Sequence, residues 1–299
     1  MLLYKNKELF EDLVSRTSAK FGLPLAVVEK DYFVSILLSS IATKVPKLLF
    51  KGGTSLSKCY NIINRFSEDI DLTTVSKLTE SERSNVKKVI LKSCEELGLS
   101  VRNEQDTRSR RMYNNYIIDY PSVFSMGELK EHVGIDTVFS IKSFPHEIKL
   151  ANNYIYDYLK SEGREDISNE LGVTPFEIAV QKIERTFIDK VFALCDYYLE
   201  DNGGMDSRHI YDLYKMYPRI EFSKQFKSLV NETREVRKNS TFGTSAQDGI
   251  VISQVLCNII KSEYYKNNYN NTTKELLFEE VSYSEAVSVL NKIITENSF

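Results

Sequence analysis

Histidine and cysteine are scarce, with three histidines and four cysteines in 299 residues. His132, His146 and His209 are too few to suggest a histidine-rich transition-metal centre. Cys59, Cys94, Cys195 and Cys257 lie far apart with no paired spacing. That distribution suggests neither a thiolate metal site nor a disulfide framework, and it fits a reducing cytoplasm. Any metal used by this chain must therefore be held by carboxylates. Long apolar runs are also missing. The most apolar stretch, 32–42, is about half of the roughly 20 residues a membrane-spanning helix requires, so it reads as a core helix and no membrane partner is expected. The start, Met1 to Lys5, runs into charged Lys7 and Glu8 without the apolar core of a secretory leader, so a cytoplasmic location is expected. Nor is there an excess of positive charge. With a formal net charge of -3, any nucleic-acid contact has to come from a local basic surface. No internal repeat and no flexible interdomain linker is visible.

What remains is the composition of a folded protein, 42% apolar and 27% charged, in a chain long enough for two packed domains. Apolar residues at helical spacing predict helices over 8–21 and 25–42. Pro46 breaks the pattern, and Lys47-Leu48-Leu49-Phe50-Lys51 reads as a short buried strand ending at Gly52-Gly53. Leu56, Tyr60 and Ile63 then continue as a helix, and 66–75 alternates as a strand. Thr79 with Glu82 is a capping-box pair opening a helix that Gly98 closes. Strands are predicted over 101–120 and 132–141. Past residue 150 the pattern becomes helical. Val173-Thr174-Pro175-Phe176-Glu177-Ile178 carries a cap, a proline at the first helical position and a hydrophobic staple, and predicts one long helix through Leu194. Asn202-Gly203-Gly204 marks a loop, Ser207 starts a helix ending before Pro218, and the stretch from Gly249 is helical with a polar insertion at 267–273. The expected class is α+β, with a mixed-sheet domain flanked by helices at 1–155 and a mostly helical domain at 156–299.

Chemistry concentrates in two places of the first half. In Gly52-Gly53-Thr54-Ser55, two glycines after a strand let backbone amides and the positive end of a helix approach a phosphate. The same residues would equally make a plain strand-to-helix turn with a hydroxyl cap. Asp69 and Asp71 are separated by one residue, which in a strand puts both side chains on one face of the sheet. Two adjacent carboxylates repel unless a cation or hydrogen bonds compensate. Magnesium, which takes oxygen ligands from one or two carboxylates plus substrate phosphates, is the natural compensation, and manganese would serve similarly. An isolated Asp-x-Asp is otherwise a solvated edge or turn. Asp136, in the alternating run Val133 to Val138, is a candidate third carboxylate, with Glu131 and Glu147 as competitors. Arg102, Arg108, Arg110, Arg111 and Tyr113, followed by Tyr116, form the densest basic patch. It could hold RNA phosphates with aromatics for stacking, or be a solvated loop.

Taken together, Lys51-Gly52-Gly53-Thr54-Ser55-Leu56-Ser57-Lys58 and Arg65-Phe66-Ser67-Glu68-Asp69-Ile70-Asp71-Leu72 form one strand-helix-strand unit. This string resembles the AbiEii nucleotidyltransferase toxin family of type IV toxin-antitoxin and abortive-infection systems, within the DNA polymerase β-like superfamily. Val28 to Tyr32, Arg185 to Lys190 and Ser207 to Tyr214 extend the resemblance over about 25–217, with Asp189 where family members often carry Glu. The resemblance implies a nucleotidyltransferase-like sheet, Lys190 on the nucleotide phosphates, Asp212 in catalysis and a magnesium-bound nucleoside triphosphate as substrate. It also implies an RNA acceptor, with tRNA favoured, a role in phage defence, and a cognate antitoxin that needs no stable complex. On the residues alone, Lys190 sits at the edge of an apolar stripe, where its stem can reach out to a triphosphate. Arg208 and Asp212, four apart, could instead form an ordinary helical ion pair. Two rival functions remain: a γ-phosphoryl transferase, disfavoured by the absence of GxxxxGK[ST], and a nucleotide- or RNA-binding module without turnover.

Overall fold

The computed structural model describes residues 2–125, 131–140, 143–202, 205–239 and 243–299. Met1, Gly203 and Gly204, named above, and position 141, where a predicted strand ends, lie outside the described residues. The contacts divide the chain into two compact units, Met1–Tyr60 with Ser67–Val180, and Asn61–Phe66 with Gln181–Phe299. Residues 156–180 thus pack with the first unit, and a six-residue excursion of the chain packs with the second.

The first unit opens with α1 (Lys7–Phe21) and α2 (Leu25–Lys44), as the apolar spacing predicts. α2 is buried on nearly every side, including Phe33, Leu37 and Leu38. Tyr4, Phe10, Tyr32 and Tyr120 gather around Phe33, which stacks on Tyr120 with ring centroids 4.4 Å apart. β1 (Leu48–Lys51), α3 (Gly52–Lys58) and β2 (Ile70–Thr74) follow, then α4 (Glu80–Glu96) with the Thr79–Glu82 capping box in place. β3 (Ser100–Val101), β4 (Tyr113–Asp119), β5 (His132–Val138), β6 (His146–Ala151), α5 (Tyr154–Ser161), α6 (Ser168–Leu171) and β7 (Phe176–Gln181) complete the sequence. The predicted strand 101–120 is in fact β3 and β4 separated by a turn, because Glu104–Asp106 coils as a short 3-10 helix.

Seven strands form one mixed sheet in the order β3-β4-β5-β2-β1-β7-β6. β1 and β2 are antiparallel, with Lys51 opposite Asp71, and β2 runs parallel to β5, with Asp71 opposite Asp136. β6 was missed because its apolar residues Ile148 and Leu150 face outward on an edge strand.

The predicted helix from Val173 to Leu194 is the clearest correction. Phe176–Gln181 is a strand, paired in parallel with β1 at Phe50↔Val180, and the helix begins only at Ile183. Pairing beside a buried central strand outweighs the local capping signature, since burying the alternating Ile178 and Val180 in a sheet gains more than one cap bond. Thr174 accordingly pairs its hydroxyl with Ser168 instead of capping a helix.

The second unit is helical: α7 (Ile183–Leu199), α8 (Arg208–Met216), α9 (Lys224–Lys238), α10 (Ile252–Ser262), α11 (Lys266–Asn268), a π-helical stretch Tyr269–Thr273, α12 (Lys274–Leu276) and α13 (Tyr283–Glu296). α7 is its spine, burying Phe187, Ile188, Val191, Phe192 and Leu194, with α8, α9 and α10 packed against it. Ser207 precedes α8 without capping it, because its hydroxyl bonds Asn268 and Thr273. Among the described residues no helix is long and apolar enough to cross a membrane.

Candidate active site

The site in the first unit is built where β1 turns into α3. Leu48, Leu49 and Phe50 are buried and fix the strand, and the chain then reverses at Gly52, whose φ is +76°. A side chain there is excluded twice. The backbone lies in the left-handed region, and a Cβ would stand 2.0 Å from Asp71 Oδ2. Gly52 therefore makes room for the Asp71 carboxylate as much as it makes the turn. α3 starts with no capping side chain from Lys51. Thr54 and Ser55 are buried and turned inward, Thr54 sharing a hydrogen bond with the Ser67 hydroxyl (2.9 Å) and Ser55 donating to the Gly52 carbonyl (2.8 Å). Their hydroxyls thus lock the turn, and only backbone amides are left to meet a phosphate here.

Asp71 is the second residue of β2, and Asp69 lies just before the strand, flanking the fully buried Ile70. Gly134 faces Asp69, and a Cβ there would stand 2.6 Å from Asp69 Oδ1. Asp136 is beside Asp71 in register, and its Oδ1 accepts from the Tyr113 hydroxyl and from Asn115 Nδ2, both at 2.9 Å. Tyr113 lies within the field of all three. Burial raises its hydroxyl pKa to about 12, and the charges of Asp136, Asp71 and Asp69 push in the same direction. Of the three, Asp136 bonds the phenol directly, while Asp71 and Asp69 act on it through their charge.

Among the described residues no group of three or more histidine, cysteine or acidic side chains is placed to hold a metal ion. The donors nonetheless suit a hard cation. Asp69 and Asp71 are half-buried oxygen donors with glycines opposite them, and Asp136 has one oxygen already tied to Tyr113 and Asn115. A divalent ion that takes one or two carboxylates and completes its shell with substrate phosphate and water suits such donors.

Three charged residues of α2 brace this region. Buried Glu29 accepts from the Ser122 hydroxyl (2.6 Å) and the Val123 amide (2.7 Å). Lys30 pairs with Glu68, the neighbour of Asp69. Asp31 holds Lys58, at the end of α3, at 2.5 Å, while Lys58 also donates to Ser35 (2.6 Å). The Val28 to Tyr32 motif is thus a set of anchors for separate loops.

In the second unit Asp212 is wholly buried and accepts both arms of Arg65, Nε to Oδ1 at 2.7 Å and Nη2 to Oδ2 at 2.8 Å. Lys190 Nζ reaches the same Oδ2 at 2.7 Å and lies 3.3 Å from His209 Nδ1. The helical pair between Arg208 and Asp212 does not form, since Arg208 pairs with Asp206 at 3.0 Å. Burial pushes the Asp212 carboxyl pKa up, but Arg65 and Lys190 outweigh it and hold the group well below the usual carboxylate range. Burial lowers the Lys190 pKa, against the opposing pull of Asp212. Asp189 is a brace as well, accepting from Gln181 Nε2 and Arg185 Nε at 3.2 Å each.

From the sequence alone, Arg65, Tyr113 and Gly134 carry no role in this chemistry. Their importance comes from register and packing, which spacing does not carry. The basic patch is less available than its composition suggests. Arg102 pairs with Asp119, Arg108 and Arg111 donate to nearby carbonyls, and Tyr116 is buried in the sheet at 2% exposure, out of reach of a base.

The fold is similar to that of MenT4, a nucleotidyltransferase toxin from Mycobacterium tuberculosis H37Rv, with a TM-score of 0.61 and 17% identity over 96% of this chain and 88% of that one. No curated protein matches the sequence. The family model described as "Nucleotidyl transferase AbiEii toxin, Type IV TA system" matches residues 35–287, and the chain belongs to that family. It is therefore a nucleotidyltransferase toxin of a type IV toxin-antitoxin system, with a nucleotide substrate and a cognate antitoxin.

Proposed function

We propose that this enzyme transfers a nucleoside monophosphate from a nucleoside triphosphate to an RNA acceptor, the 3′ end of a tRNA, with a divalent cation held by Asp69 and Asp71 and aided by Asp136. The observation that carries this reading is the placing of Asp71 beside Asp136 on adjacent strands, with Gly52 and Gly134 leaving space for the Asp71 and Asp69 carboxylates. Adjacent carboxylates supply the oxygen donors that magnesium or manganese prefers. A cation held by Asp69 and Asp71 would supply charge neutralisation for the triphosphate and would acidify the attacking hydroxyl. The amides of Gly52 to Ser55 bind phosphate oxygens, because the buried hydroxyls of Thr54 and Ser55 hold the turn in one shape.

Lys190 offsets the charge of the departing pyrophosphate. Asp212 orients Lys190 and does not itself take a proton, since a buried carboxylate with a depressed pKa, paired bidentately to Arg65, is a poor base. Blocking an RNA end required for translation would halt growth, consistent with a role in phage defence opposed by the antitoxin. Brief expression followed by sequencing of RNA 3′ ends tests this. Extra nucleotides on tRNA ends, absent with Asp71→Asn, are expected, whereas unaltered ends in growth-arrested cells would remove the proposed acceptor.

A further inference from the structure

The buried cluster around Asp212 does not balance its charge. Arg65 and Lys190, 2% and 6% exposed, bring two cations to one carboxylate. The half-exposed Arg208, itself paired with Asp206, adds positive potential at Lys190. The Lys190 ammonium has three donors. One goes to Asp212 Oδ2, and among the described residues the only other side chain within hydrogen-bond distance is His209 at Nδ1. An ammonium can only donate, so Nδ1 must carry a lone pair, which makes His209 neutral with its proton on Nε2. The half-buried ring lies nearly parallel to Tyr197, with 10° between planes and centroids 6.1 Å apart, and this fixes its orientation.

We infer that His209 is a positioning residue: as a neutral acceptor clamped by Tyr197, it takes the second donor of Lys190 and so aims the third at a phosphate oxyanion of the nucleotide. The inference rests on the phosphate role proposed above for Lys190. Two fixed acceptors leave the ammonium little freedom about its stem, so the last N–H has a set direction. A charged histidine here would repel Lys190 and leave it held by Asp212 alone.

The test uses the full chain with His209→Asn, which keeps an oxygen acceptor near the position of Nδ1, His209→Leu, which removes it, and Lys190→Met. Affinity for an α,β-methylene nucleoside triphosphate is read with magnesium present, alongside thermal melting. Expected is a loss of about tenfold in affinity for His209→Leu, the range for one hydrogen bond to a charged group, with most of it restored in His209→Asn. In the unsubstituted protein, 15N NMR of the three histidines is expected to show His209 neutral with an unprotonated Nδ1 near neutral pH. A protonated Nδ1 overturns the inference without any variant. So does parental affinity in both His209 variants while Lys190→Met binds weakly, and in that case the role of Lys190 stands. If Lys190→Met itself binds like the parent, the phosphate role falls and the inference falls with it.

Discussion

Replacing Asp212 by Asn changes one atom and removes one charge, and the cost can be worked from its surroundings. Arg65 and Lys190 each bury all but 2% and 7% of their side chains, and among the described residues Asp212 is the one carboxylate that meets both. The variant would turn an amide group toward one of them and leave two buried cations without compensation. Breaking a buried ion pair by removing one partner costs about 3–5 kcal/mol, which for a chain of this size lowers the melting temperature by about 6–20 °C. The pH dependence gives an independent check. Because the folded-state pKa of Asp212 lies below its unfolded value, its contribution is fully present above the unfolded pKa, about 4, and is lost as pH falls toward the folded value. Melting followed by circular dichroism from pH 7 down to about 3 should therefore show the largest gap between parent and variant at neutral pH, narrowing in acid. An unchanged melting temperature at pH 7, or a gap that widens in acid, would refute the assignment of Asp212 as the buried counter-charge.

Three further outcomes follow from the first unit. Gly52→Ala should lose about 100-fold in turnover while the protein remains folded, because its Cβ would displace Asp71 and strain a left-handed backbone; single-turnover kinetics and a melt separate the two effects. Gly134→Ala should be milder, about tenfold in turnover, since the obstructed atom is one terminal oxygen of Asp69 that can swing aside. Tyr113→Phe removes one donor from Asp136, and is expected to change stability by under about 1 kcal/mol while shifting the magnesium concentration for half-maximal activity severalfold.

Much of the first unit was legible in the chain. The apolar run Leu48 to Phe50 ending in paired glycines, and the spacing of Asp69 and Asp71, are local signals that one strand-helix-strand unit imposes on its own sequence. The Thr79 cap is equally local, and it formed. The same kind of signal misled at Thr174, where capping chemistry is present but a parallel pairing with β1, contributed by residues more than a hundred positions away, decides the conformation. Arg65 and Gly134 escaped notice for a related reason. One meets its partner 147 residues later, and the other matters because its missing side chain leaves space for a carboxylate from a neighbouring strand. Asp136 could be suspected from alternation, but the donors that restrain it come from β4, which only the register reveals.

Transfer of the α-phosphorus is the step on which the chemistry stands, and labelled triphosphates read it directly. The enzyme is incubated with total RNA, magnesium and a nucleoside triphosphate labelled at either the α or the γ phosphorus. Nucleotidyl transfer predicts α-label retained on RNA, γ-label released as pyrophosphate, and neither product with Asp71→Asn. Retention of γ-label on any macromolecule, with none from the α position, would contradict it.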